Sequence, residues 1–376
     1  MPEHPNFAPA ELEEAAPLIY TNWTNFNADK ELSRTIEFGV FADARIIGQS
    51  KFGPYDFLNT LASAVGNGSL TQAIVVRSVC HWPEYGFKPM YKTQDSHYHG
   101  GDHPDELAAL ISLILGIRAQ AGSITREFML HGDPYGSPTT IGSKPIPILP
   151  PLYISPRIPR LRSEYNLDEL EPITILPRVN AETASVIVKV ARMYQQAVWL
   201  VDAQPSMSWL LLVSAIETAA NYWALQKHII SDDYTLPEEL NEIIAEHSCS
   251  SSIVEPLSKY MEKYTKATTK FVKFIQEFLP DPPESRPEAA YCIEFTKNGL
   301  KKGLEKIYDY RSRALHDGIS FPYPMCNAPS HYHEEMPMGA TRAQNGIWSK
   351  EDMPMLLHIF EHIVRGSILN WLQSLC

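Results

Sequence analysis

The stretch Ile307–Gly318, with the sequence IYDYRSRALHDG, decides how the second half of this chain is interpreted. It ends a helix-forming run, because an Asp-Gly pair closes it. Arg311 and His316 are five positions apart, which turns a helix by about 140° and points their side chains to different faces. Ser312 lies one helical turn before His316 and shares its face. The turn ending at Gly318 is therefore expected to help aim His316.

Long helical patterns fill the rest of this half. Apolar residues recur with helical spacing over residues 182–202, 207–228, 256–279, 297–316 and 352–375. The third of these runs has a stripe of five lysines at steps of four and three, namely Lys259, Lys263, Lys266, Lys270 and Lys273. Because short connections favour antiparallel neighbours, the sequence predicts an up-and-down bundle of four or five helices.

Eight prolines between residues 145 and 177 precede the bundle, and no helical or alternating period is sustained there. Proline removes a backbone donor and restricts the residue before it. The pattern predicts an extended linker over 145–180, which separates an N-terminal domain, residues 1–144, from the bundle, residues 181–376.

The N-terminal domain is predicted to be mixed α/β. Short alternating or apolar runs indicate strands over residues 35–43, 72–82 and 123–130. The sequence predicts a helix over residues 104–120, with Asp102 as the N-cap and Gly122 just after the end. The fold class predicted for the whole chain is α+β.

Composition limits the function classes. The 376 residues include 44% hydrophobic and 20% charged residues, which excludes a disordered acidic chain. The formal net charge of −12 repels nucleic acid and anionic membranes on average, so RNA binding must be local. Five separated cysteines without a CxxC pair, no secretory leader pattern and no apolar run of membrane-spanning length predict a cytoplasmic protein that does not enter membranes.

Tyr308, Arg311-Ser312, Leu315-His316 and Gly318 together resemble the signature of the HEPN superfamily, most closely its Apea-type branch from prokaryotic defence proteins. The resemblance covers roughly residues 180–376 and includes Glu217, at a place where the family often has an acidic residue on an earlier helix. It does not cover residues 1–150. It implies a HEPN-like helical bundle that forms a homodimer. It also implies metal-independent endoribonuclease activity without a cofactor, at a composite site to which each subunit contributes its arginine and histidine.

The residue types suit this chemistry. Attack by an RNA 2′-hydroxyl on the adjacent phosphorus needs a proton-transfer group, and histidine is suited to that near neutral pH. A planar guanidinium can stabilise the negative charge that develops on the phosphoryl oxygens. His316 is therefore expected to be the general acid or base and Arg311 the phosphate clamp, with Ser312 as a second polar contact weaker than the Asn, Asp or His common in the family. Supporting roles are assigned to Tyr308 and Glu217, and RNA contacts to Lys297, Lys301 and Arg313, from a segment, residues 256–314, that has 12 basic and eight acidic side chains.

Structural roles are the alternative. Arg311 pairs with Glu217 or Glu305 in that interpretation, His316 caps its own helix, and the bundle is a non-catalytic module that binds RNA or protein. The five lysines then form an ordinary solvated helix face. The target RNA, whether tRNA or mRNA, and any regulatory or antitoxin partner remain open from the sequence.

Two histidine clusters have side chains that zinc accepts. One contains His97, His99 and His103 with Asp95 and Asp102, and the other contains His331 and His333 with Glu334 and Glu335. Neither has rigid helical ligand spacing, so both are interpreted as solvated loops and no metal is predicted.

Overall fold

The computed structural model describes residues 16–60, 70–81, 99–129, 133–139, 142, 144–149, 156–227, 267–329, 334–337, 341–343 and 346–375. It divides the chain into two compact units. Unit 1 comprises Met1–Ile148, Arg162–Arg192 and Leu375–Cys376, and unit 2 comprises Leu149–Leu161 and Met193–Ser374. Unit 1 contains the main sheet and unit 2 contains most of the long helices, so the chain is α+β, as the sequence predicts.

An antiparallel sheet forms the centre of unit 1. Its strands are β1 Arg34–Ala42, β3 Gln49–Phe52, β4 Tyr55–Asn59, β5 Thr71–Cys80, β6 Gln120–Phe128 and β7 Ser137–Pro138, in the order β3-β4-β5-β1-β6-β7. The three predicted strands are confirmed as β1, β5 and β6, with bounds shifted by up to three residues. In β1, alternate side chains are buried as the period of two requires, namely Ile36, Phe38, Val40 and Ala42.

In the described part of unit 1, two α-helices lie wholly within the unit, α1 Leu18–Asn27 and α2 His103–Leu115. Asp102 caps α2 as predicted, and it forms a reciprocal capping box with Asp105. The predicted helix end near Gly122 is wrong. The helix stops at Gly116, which adopts a left-handed conformation (φ 71°), and the chain is already in β6 from Gln120.

The proline-rich segment is not extended throughout its described part. It contains 3₁₀ turns over Pro159–Arg162 and Leu167–Arg178, and between them β8, Glu164–Asn166, which pairs in parallel with β2, Arg45–Ile47. Leu167, Leu170, Ile173 and Leu176 recur every third residue and are buried. A period of three matches a 3₁₀-helix, and a search for α-helical or strand periods misses it. The predicted linker over 145–180 therefore differs from the structure, which places Arg162–Arg192 within unit 1.

Among the described residues, five α-helices follow. They are α3 Ala181–Leu200, α4 Pro205–Gln226, α5 (267–277), α6 Lys301–His316 and α7 Leu357–Gln373. α3 begins within unit 1, and its residues from Met193 onward belong to unit 2. Part of the predicted third helix, residues 256–266, lies outside the described residues.

Aromatic packing forms the core of unit 2. The Trp209 ring on α4 stacks on Phe360 of α7, with ring centroids 4.7 Å apart, and on Phe321, at 5.4 Å. These rings are buried, as expected when amphipathic helices pack their apolar faces together. Within the described ranges, none of the helices combines the length and the apolar character that crossing a lipid bilayer requires.

Candidate functional site

The C-terminal half of α6 and the middle of α4 bring three of the predicted site residues together. The Arg311 Nη2 donates to Glu217 Oε2, and the Tyr308 hydroxyl donates to Glu217 Oε1 at 2.9 Å. The Arg311 guanidinium lies 5.6 Å from the centre of the Tyr308 ring. Tyr308 and Arg311 share a helix face because they are three positions apart, and that face contacts α4.

This triad of Glu217, Tyr308 and Arg311 is largely buried. The side chains of Arg311 and Glu217 are 18% and 19% exposed, and the Tyr308 ring packs on Phe271 of α5 with centroids 5.3 Å apart. Burial and the Glu217 carboxylate raise the pKa of the Tyr308 hydroxyl. Tyr308 is therefore a neutral donor that helps to hold the carboxylate against Arg311.

His316 occupies a different position. It is the last residue of α6 and is exposed, and the left-handed Gly318 (φ 68°) follows it after Asp317. Because His316 is still helical, the turn at Gly318 does not redirect its backbone, contrary to the expectation from sequence. Five helical positions separate it from Arg311 by about 140° and about 7.5 Å along the axis. The contacts described for Arg311 do not include His316.

The surroundings of His316 combine polar and apolar groups. Ser312, one turn earlier on α6, is half-buried. Leu315 and Ile319, one position before and three positions after His316 in the chain, are 53% and 46% exposed. Leu315 belongs to the motif, but the exposure of Leu315 and Ile319 was not predicted from the sequence.

The predicted RNA contacts lie on the surface of the same region. Lys297 is exposed just before α6, and Lys301 is exposed in the first turn of α6. The Lys301 Nζ lies 3.9 Å from Glu305 Oε1. The Arg313 guanidinium lies 3.9 Å from Asp309 and 5.8 Å from the centre of the Tyr310 ring. Two of these cations therefore already have acidic neighbours at i,i+4 spacing, which reduces the positive potential that they offer to a phosphate.

Only part of the lysine stripe is described. Lys270 donates to Asn221 Oδ1 at 3.4 Å, and Lys273 is exposed. The other three members, Lys259, Lys263 and Lys266, lie outside the described residues.

The described members of the first histidine cluster point to separate partners. His99 Nε2 lies 2.7 Å from Glu106, and His103 Nε2 lies 3.0 Å from the Ser78 hydroxyl. Burial lowers the pKa of His103 to about 3, so its ring is neutral. His97 and Asp95, like His331 and His333 of the second cluster, fall outside the described residues. In the part of the chain that the structure describes, no three His, Cys, Asp or Glu side chains are placed to hold a metal ion.

A second polar cluster, which was not predicted from the sequence, lies on α7. His358, Glu361 and His362 share one face of that helix, since they are three and four positions apart. This spacing was visible in the sequence HIFEH, residues 358–362.

Comparison with known proteins gives no match to a family model, a curated protein or a solved structure.

Proposed function

We propose that this protein is a metal-independent endoribonuclease of the HEPN type, which cleaves RNA through attack by the 2′-hydroxyl on the adjacent phosphorus. The observation that supports this most directly is the triad on α6 and α4, which holds Arg311 in place, together with an exposed His316 at the end of the same helix. A fixed guanidinium and an accessible imidazole are the two side-chain types that this reaction needs.

Each residue then has a definite task. His316 moves the proton between the 2′-hydroxyl, the leaving oxygen and solvent. Arg311 stabilises the charge on the phosphoryl oxygens, and Glu217 and Tyr308 position it. Ser312 lies on the His316 face of α6, where its hydroxyl can contact the substrate backbone. Lys297, Lys301 and Arg313 attract the flanking phosphates.

The helix geometry supports a site shared between two copies of the chain. Since Arg311 and His316 of one chain diverge by about 140°, a second copy facing the end of α6 would supply groups that one chain does not direct at the same phosphate. The exposed Leu315 and Ile319 beside His316 provide apolar surface for such a contact. In this proposal the homodimer is the active form.

Cleavage of RNA in the presence of a chelator tests the activity. Fragments that end in a 2′,3′-cyclic phosphate are expected from the unaltered protein, and Arg311→Ala and His316→Ala should each reduce their formation at least about a hundredfold. Glu305→Gln, a surface change on the same helix, is the matched control. An RNA with a 2′-deoxy sugar at the cleaved position should resist, and equal cleavage of that RNA would contradict the mechanism.

The second candidate is a non-catalytic module of the same kind that binds RNA or protein. The Arg311–Glu217 pair favours it, because this arginine already has a largely buried partner of opposite charge. Retained RNA binding without any cyclic-phosphate product in the first experiment would select this candidate.

The biological setting belongs to the same proposal. A nuclease of this type would act in the cytoplasm as a phage-defence effector or a growth-arresting toxin, on tRNA or mRNA, and a regulatory or antitoxin partner would hold it inactive. Unit 1 would receive the activating signal or recruit the substrate.

A further inference from the structure

Helix α4 carries almost no charge on the side that the described part of the chain leaves uncovered. Glu217 is the only charged residue among the 22 residues of α4, and its carboxylate is engaged by Tyr308 and Arg311. A helix on the surface of a globular protein normally has charged and polar side chains opposite its buried face. The uncovered side of α4 therefore lacks the side chains that are typical of a surface in permanent contact with water.

The uncovered side chains of α4 follow a regular spacing. Between Met207 and Leu225, the positions that are not buried lie within an arc of about 120° around the helix. Six of them recur at steps of four, three, four, three and four residues. They define the α4 seam, which consists of Met207, Leu211, Ser214, Thr218, Asn221 and Leu225. This is the spacing with which one helix packs along another in a heptad repeat.

The polar members of the α4 seam have partners within the chain. The Thr218 hydroxyl donates to the Ser214 carbonyl oxygen at 2.9 Å, and Asn221 Oδ1 accepts from Lys270 of α5 at 3.4 Å. An uncharged surface does not attract a phosphate or a metal ion. It fits a second helix face that is equally free of charge.

The order of the side chains makes the α4 seam complementary to itself. Its centre lies at Ile216, and each member has a counterpart at the same distance on the other side of that centre. Two antiparallel copies of α4 then form layers that pair Met207 with Leu225, Leu211 with Asn221, and Ser214 with Thr218. Small side chains in the central layer allow close approach of the backbones, and larger ones fill the outer layers. A two-fold contact requires such a self-complementary patch.

Exposed apolar side chains from the end of α6 lie along the same helix. Arg311 contacts the middle of α4, and Phe321, ten positions later, stacks on a tryptophan near the start of α4. The connecting residues Leu315 and Ile319 are about half exposed. The α4 seam is about 27 Å long and alone supplies only part of the roughly 800 Å² that each partner of a stable interface buries. Leu315 and Ile319 extend it.

We propose that the α4 seam binds a second copy of this chain, with the two α4 helices antiparallel about a two-fold axis at Ile216. The interface itself does not depend on RNA cleavage. Its consequence for the candidate site rests on the proposed function. Glu217 is one residue from the axis, so both copies of the Arg311 side chain that it holds lie near the axis, on the same side of the helix pair. The α4 seam is then the surface that brings the two motifs of a shared site together.

Sedimentation velocity of the full chain over a range of concentrations measures this contact. Met207 and Leu225 are 43% and 57% exposed, so charges introduced there leave the core of the chain intact. Met207→Lys and Leu225→Glu should each weaken dimerisation at least about tenfold, because a charge then faces an apolar side chain in two layers of the dimer. Met129→Lys, at an exposed position of unit 1, is the matched control and should leave dimerisation unchanged.

A mixture of the two seam variants tests the antiparallel register. In a mixed dimer, one layer pairs the introduced ammonium group with the introduced carboxylate, and the other layer keeps the original Met207 and Leu225. The mixture should therefore dimerise about as tightly as the unaltered chain, although neither variant does so alone. A mixture that dimerises no better than its components would overturn the proposal.

Other occupants of the α4 seam give different results. An unaltered chain that stays monomeric at every concentration would show that something else covers the seam, either a different partner or a part of this chain outside the described residues, and the proposal would be wrong. A dimer that Met207→Lys and Leu225→Glu leave intact would place the interface on another surface, with the same consequence. Dimerisation through the seam without RNA cleavage would support the interface and contradict only the nuclease proposal.

Discussion

At the residue scale, Glu217 is the side chain that constrains the candidate site most, since it accepts from both Tyr308 and Arg311. Removing its charge leaves a largely buried guanidinium without its counterion. We expect Glu217→Gln to lower the free energy of unfolding by about 1–3 kcal/mol, as measured by urea denaturation.

The matched control is Glu305→Gln, which breaks an exposed i,i+4 pair with Lys301 and should change that free energy by no more than about 0.5 kcal/mol. Equal losses of unfolding free energy in the two variants would show that the Glu217–Arg311 pair stabilises the fold no more than the exposed Lys301–Glu305 pair does.

A second residue, His103, makes the stability of unit 1 depend on pH. Burial, and to a smaller degree Arg34, lowers the pKa of His103 to about 3, whereas it is about 6.5 in an unfolded chain. Between these values the unfolded chain binds a proton that the folded chain does not, so stability falls as the pH falls. The titration of His103 alone lowers the free energy of unfolding by up to about 1.4 kcal/mol for each pH unit of acidification in this range.

Replacing that imidazole should therefore flatten the pH dependence. Urea midpoints at pH 7, 6 and 5 are expected to decline less steeply for His103→Gln than for the unaltered protein. His316→Gln, which removes an exposed histidine, serves as the comparison. A His103→Gln slope as steep as the original would mean that this ring is not a source of the acid sensitivity.

At the scale of single elements, the end of α6 depends on the left-handed turn at Gly318 (φ 68°). A Cβ built at this position meets no atom within 4 Å, so a substitution there acts through backbone strain alone. Gly318→Ala should cost about 1 kcal/mol and, by fraying the last turn, reduce RNA cleavage several-fold. Gly318→Asn should cost less, since asparagine tolerates this conformation.

Thermal unfolding and a cleavage assay measure the two effects together. Unchanged cleavage in a destabilised Gly318→Ala protein would show that the turn at Gly318 does not determine the position of His316.

Element prediction from sequence succeeded where one period persists. The apolar spacing in α3, α4 and α7 gave the existence of these helices, and alternation gave β1. It failed at Gly116, where a left-handed backbone conformation ends α2. It also failed over Leu167–Arg178, where apolar residues repeat every three positions, a period that belongs neither to α-helices nor to strands. Very short strands such as β3 have too few residues for any period to show.

At the scale of the whole molecule, the sequence predicted the α+β class, but long-range packing decides which unit a proline-rich segment joins. The candidate site was likewise predictable only in part from the sequence. The spacing of three positions that places Tyr308 and Arg311 on one helix face is visible in the sequence. The contact with Glu217, 94 positions away, was anticipated only as one of two pairings.

The shared-site proposal makes a prediction about mixtures of chains. Arg311→Ala and His316→Ala proteins should each be inactive alone, because every site in such a dimer lacks one type of group. When the two are mixed and allowed to exchange subunits, about half of the dimers contain one chain of each kind, and these retain one arginine and one histidine from different chains. We therefore expect the mixture to recover measurable cyclic-phosphate formation, below that of the unaltered protein and increasing with protein concentration as dimers form.

A double variant lacking both groups, mixed with either single variant, controls for contaminating nuclease and should recover none. If the two single variants fail to complement although sedimentation shows that they form mixed dimers, the arginine and the histidine do not act across the interface, and the composite site must be abandoned.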